Sequence, residues 1–99
     1  MKFGYDRDGK LVPIEQLELA SALADLEAQH DSQGFAARAT AVVALRRLFA
    51  VAGQPLAGED ENVLSLYAEG IVDYHNVEHY FGQRLTSALE LAHARLGSA

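Results

Sequence analysis

The stretch DENVLSLYAEGIVDYHNVEHYFGQRLTSALELAHARL, residues 60–96, decides the fold, because nothing in it except Gly70 and Gly82 argues against continuous helix. At a rise of about 1.5 Å per residue an unbroken helix of this length would run roughly 55 Å, against a radius of gyration of about 13 Å for a chain of this size. Two outcomes are therefore open. Either the helix breaks near Gly82, giving a fourth helix over residues 83–96, or it protrudes and pairs with another chain. On a helical wheel Val63, Tyr67, Ile71, Tyr74, Val77, Phe81, Leu85, Leu89 and Leu96 fall within one arc roughly 120° wide. An apolar strip of that extent predicts exposed apolar surface in a lone protomer under either outcome.

Working back from residue 60, Gln54-Pro55-Leu56-Ala57-Gly58 reads as a loop, and Glu59, Asp60 and Glu61 open the third helix where carboxylates face unpaired N–H groups. The second helix runs from a Ser32 cap to about Ala52, stopped by Gly53 and Pro55. Its centre, Ala41-Val42-Val43-Ala44-Leu45, is apolar all round, which places it in the middle of the core. The first helix begins near Pro13, with Glu15 and Glu18 favouring its N-terminal dipole. Leu19, Leu23, Leu26 and His30 form its stripe, widened by Leu17, Ala20 and Ala24, until Asp31-Ser32-Gln33-Gly34 ends it. Before it, residues 2–14 alternate apolar positions about the turn Asp6-Arg7-Asp8-Gly9, a short β-hairpin in which Pro13 is not expected inside a paired strand. The expected fold is mainly α, three or four helices with a short N-terminal β-hairpin, residues 1–99 forming a single helical domain.

Composition narrows the function classes. The 49% hydrophobic content of these 99 residues supports a folded core, and the lack of cysteine removes disulfides and thiolate chemistry. No apolar run suits a bilayer span and the N-terminus lacks a signal-peptide pattern, so the expected location is cytoplasmic. Fourteen acidic against eight basic residues give a net charge of −6, which repels phosphate backbones and argues against a nucleic-acid partner. Arg38, Arg46 and Arg47 are read as salt-bridge partners for the acidic helices.

Four short patterns touch known chemistry. Residues 6–15, DRDGKLVPIE, resemble the second half of an EF-hand calcium loop, with Asp6, Asp8 and Glu15 as ligands and Gly9 at the turn. The first ligand position holds Gly4, so Ca2+ is not expected, and an Asp-Gly turn explains the same residues. Tyr74-His75-Asn76-Val77-Glu78-His79 resembles the signature of HD-type phosphohydrolases, which implies a proton donor at His75 and a metal ligand at His79, but no His-Asp pair follows to hold the metal. The same residues contain the His-x-x-Glu-His spacing of inverted zinc peptidases, without a third ligand. Glu90-Leu91-Ala92-His93 resembles the Glu-x-x-His of ferritin-like bundles. On a continuous helix His75, His79, Glu90 and His93 would share a flank suited to a divalent transition metal, supplied in full only by a dimer.

Glu78 lies inside the apolar arc, where an ionised carboxylate needs a partner, a rim position, or a role in an interface. With the aromatic residues around it, including Tyr80, it gives the expected partner-binding surface: Tyr67, Tyr74, Glu78, Phe81 and Leu85. The function these readings favour is a non-catalytic protein-interaction module, an adaptor, regulator or inhibitor acting through the C-terminal helical region as a homodimer. A metal-binding protein using the His/Glu flank and an acidic nucleic-acid mimic are the alternatives.

Overall fold

A computed structural model describes residues 2–28 and 34–97. His30 and the Ser32 cap lie outside those residues. The described chain is mainly helical with a two-stranded antiparallel hairpin at its start. The elements are β1 (Phe3–Tyr5), β2 (Leu11–Pro13), α1 (Ile14–Ala28), α2 (Phe35–Val51), α3 (Gly58–Ala68), α4 (Tyr74–Phe81) and α5 (Gln83–Gly97). Among the described residues no helix is long and apolar enough to cross a membrane.

Among the described residues five helices form rather than three or four, because the C-terminal stretch breaks twice. Gly70, at φ +80°, ends α3. Its N–H reaches Tyr67 O at 3.0 Å and the Ile71 N–H reaches Leu66 O at 2.9 Å, the paired bonds of a Schellman ending. Three residues after Gly70, Asp73 opens α4 with a reciprocal cap: its carboxylate accepts from Asn76 N–H at 3.0 Å while Asn76 Oδ1 accepts from Asp73 N–H at 3.0 Å. The second break is the expected one. Gly82, at φ +53°, donates its N–H to Glu78 O at 2.8 Å, the last bond of α4, and its carbonyl accepts from Leu85 N–H, so α5 follows with no linker.

Folding back replaces the overhanging rod, and the longest dimension is 41 Å with a radius of gyration of 13.9 Å. α2 lies against α1, α3 and α5. Ala41, Val42, Ala44, Leu45, Leu48 and Phe49 are buried along it, but Val43 is exposed, so its centre is not covered on every side. On α1, Leu19, Ala22, Leu23 and Leu26 face the core. Ala20 and Ala24 face outward, which narrows the expected stripe.

The apolar strip is largely consumed inside the protomer. Tyr67, Val77, Phe81 and Leu85 are at most 3% exposed, whereas Ile71 is 66% exposed because the loop between α3 and α4 turns it out. Val63, Tyr74, Leu89 and Leu96 are partly buried against the same core. The reason is geometric: each break re-aims the next helix, so residues that share an arc on one rod cover different sides of one core.

Candidate interaction surface

Pairing in the hairpin follows from local residues. Asp6 Oδ1 accepts the N–H groups of Asp8 and Lys10, each at 2.9 Å, and Gly9 supplies φ +78°. This Asx-type closure uses the carboxylate that the EF-hand resemblance assigned to calcium. The register is Phe3 opposite Pro13, Gly4 opposite Val12, and Tyr5 opposite Leu11. Asp6 N–H donates to Lys10 O and Ile14 N–H donates to Lys2 O, both at 3.0 Å. Because antiparallel bonds alternate, Gly4 and Val12 form the bonded pair between them. The backbone groups of Phe3, Tyr5, Leu11 and Pro13 therefore point away from the ladder. Pro13 does sit in a paired strand, contrary to the sequence expectation, because at that position its missing N–H costs nothing.

One face of the hairpin lies on α1. A methyl group at Gly4 would approach Leu17 Cδ1 to 2.7 Å, so the glycine is what lets β1 lie so close to the helix. The opposite face presents Phe3, Tyr5 and Leu11, which are 51%, 73% and 56% exposed. In a period-two strand these three side chains stand together by necessity. Sequence reading registered the alternation and gave this face no role.

The expected partner-binding set divides. Tyr67, Phe81 and Leu85 are core residues of the protomer, so they do not form an exposed patch. Tyr74 and Glu78 stay at the surface, lining a groove of about 180 Å³ with Leu23, Leu26, Glu27, Leu89 and His93. Burial is the main cause that pushes the Tyr74 hydroxyl up to about 12, with the charge of Glu78 and the neighbouring Tyr67 adding to it. The rings of Tyr67 and Tyr74 meet edge to face at 5.9 Å. Glu78 is exposed at the rim. The arginines pair elsewhere: Arg46 with Glu61, and Arg47 with Glu18 at 3.9 Å.

The candidate metal flank is not assembled in the single chain. His75 and His79 are exposed on α4, Glu90 and His93 on the surface of α5, and the turn at Gly82 removes the common face they would share on one rod. Among the described residues no three His, Asp or Glu side chains gather into a metal-binding set.

No family model, characterised protein or solved structure matches this chain.

A polar corner that sequence reading missed joins α3, α4 and α5. Asp60, 3% exposed, is the buried charged side chain among the described residues. It accepts from Arg84 Nη1 at 3.1 Å and Nη2 at 2.7 Å, from Tyr80 Oη at 2.9 Å, and from Ala57 N–H at 2.9 Å. The Arg84 hydrogen bonds hold this carboxyl well below its usual range, against the opposing effect of burial. The guanidinium also lies 5.2 Å from the Phe81 ring centre and 6.0 Å from that of Phe49. Twenty-four residues separate Asp60 from Arg84, a distance at which no helical spacing rule pairs side chains. The Asp60 carboxylate is saturated, which suits a fastening rather than an acid or base.

Proposed function

We propose that this chain is a non-catalytic protein-interaction module, an adaptor, regulator or inhibitor, that docks through the open face of its hairpin. The observation that carries this reading is the side-by-side exposure of Phe3, Tyr5 and Leu11 on a sheet that, among the described elements, packs on α1 alone. Large apolar side chains standing together in water are unfavourable, and covering them on association releases that cost. Two aromatics and a leucine also match the residue types that anchor interfaces, Tyr above all. The surface differs from the C-terminal one that the amphipathic pattern pointed to, because the core claims most of those residues. The internal saturation of Asp60 favours binding over catalysis.

The test is the double variant Tyr5→Lys/Leu11→Lys, compared with wild type by sedimentation and by affinity capture from cells. Both positions are exposed, so the helical circular dichroism of the dilute variant should be little changed, with only a small loss of stability from the two lysines facing each other across the hairpin. Self-association or stoichiometric partner capture should disappear. A wild-type protein that neither associates nor captures, or a variant that keeps every association, defeats the reading.

A further inference from the structure

We infer that the hairpin also takes a second copy of the chain at its β1 edge, joined strand to strand in a four-stranded sheet ordered β2-β1-β1-β2 whose open face unites the two apolar clusters. The inference rests on the interaction reading above and adds the partner, the edge and the register.

The two edges of the hairpin are not equivalent. On the outer side of β2 the free backbone groups belong to Leu11 and Pro13, and the proline has no N–H to give. On the outer side of β1 they belong to Phe3 and Tyr5, each with a donor and an acceptor pointing away from the ladder. The β1 edge can therefore extend the sheet, and the β2 edge is blunted. A lone two-stranded hairpin is marginal, so a further strand is worth more here than on a wide sheet.

Antiparallel pairing of β1 with its copy about a two-fold axis at Gly4 satisfies that edge in one register. Phe3 of each copy exchanges N–H···O=C bonds with Tyr5 of the other, using the groups the hairpin leaves free. On the open face the same register sets Phe3 directly opposite the other copy's Tyr5, twice, an aromatic cross-strand pairing. It also sets Lys2 opposite the other copy's Asp6, again twice. Lys2 is exposed, and the turn bonds of Asp6 both fall on Oδ1, so Oδ2 is left for the incoming ammonium. Shifting the register breaks these matches. In this register opposite charges, aromatic partners and outward backbone groups all coincide when the strand meets itself, which favours a second copy over an unrelated strand. Both helical bodies then lie on one side of the sheet, with the two α1 helices closest. Alongside its glutamates α1 exposes Ala20, Ser21, Ala24 and Ala28, short side chains that permit approach.

Sedimentation equilibrium of the full chain at low salt tests the inference through two variants. Phe3→Pro removes the outward donor and no bond within the protomer, and should raise the dimer dissociation constant roughly a hundredfold. Lys2→Glu leaves backbone and core untouched and places like charges opposite each other, which should raise it roughly tenfold and invert the salt dependence. Dimerisation that responds in both ways supports edge pairing. A wild type that stays monomeric up to about 200 µM, or a dimer indifferent to both variants, overturns it. Two results separate this failure from failure of the broader reading. A monomer whose captured partner is lost in Tyr5→Lys/Leu11→Lys keeps the interaction module and discards self-pairing, as does a dimer lost in that double variant but intact in Phe3→Pro.

Discussion

The corner formed by Asp60, Tyr80 and Arg84 and the N-terminal hairpin assign polar and apolar groups in opposite ways. At the corner a carboxylate is buried among helices; at the hairpin two aromatic rings and a leucine stand in solvent. The difference follows from how many elements meet at each place. Three helices and a loop converge on Asp60 and satisfy its oxygens from four donors. Among the described elements only α1 contacts the strands, so the hairpin has one covered face and one open one. A polar group is tolerated inside where several elements can partner it, and an apolar face is left outside where none of the described elements lies over it.

The largest expected effect tests the covered end of this comparison. Phe81 is 3% exposed, stacks on Phe49 at 4.8 Å between ring centres, and carries the Arg84 guanidinium. Phe81→Ala should cost about 3–4 kcal/mol in urea unfolding, from the cavity and from the lost platform together. A cost below about 1 kcal/mol would mean that Phe81 belongs with the open surface after all, as the amphipathic pattern suggested.

Next in size is Asp60→Asn, which keeps the shape and removes the charge. With Arg84 42% exposed on its side chain, solvent screens the pair, and the expected loss at neutral pH is about 2 kcal/mol. The pH dependence has a definite sign. The folded carboxyl titrates below its ordinary value of 3.8, so the corner stabilises fully above that value and loses its contribution as pH falls below it. The stability gap between wild type and Asp60→Asn should therefore shrink on acidification, as followed by thermal melts from pH 6 down to about 2.5. A gap that widens in acid contradicts the proposed origin of the effect.

Much of this architecture was legible in the residues. The Asp6–Gly9 turn, the glycine stop at Gly53 and the break at Gly82 each depend on local chemistry that a few neighbours determine, and the structure has all three. The break at Gly70 was equally local. Its signal was the glycine followed by Asp73-x-x-Asn76, a reciprocal cap written with Asn where Glu or Gln is more familiar. Missing that cap joined two helices into one wheel, and the joined wheel gathered into one strip and one histidine flank residues that the breaks set on separate helices. The Asp60–Arg84 corner was illegible for a different reason: it exists only after α4 and α5 fold back, and no spacing along the chain encodes that return. The hairpin face lay between these cases. Alternation placed Phe3, Tyr5 and Leu11 on one side, but which side α1 would cover depends on Gly4 admitting Leu17, a tertiary fact.

The smallest effect sharpens the open end. Leu11→Ser should change the stability of a dilute protomer by no more than about 0.5 kcal/mol, since a side chain 56% exposed gives up little packing. The informative variable is concentration. If association covers this face, the native state is stabilised by mass action, and the wild-type melting temperature should climb as protein concentration rises. Leu11→Ser should flatten that climb while matching wild type at the dilute limit. A variant equally destabilised at all concentrations would place Leu11 in the protomer's own packing, and the contrast between the two ends would then be one of degree, with the hairpin as a thin extension of the core.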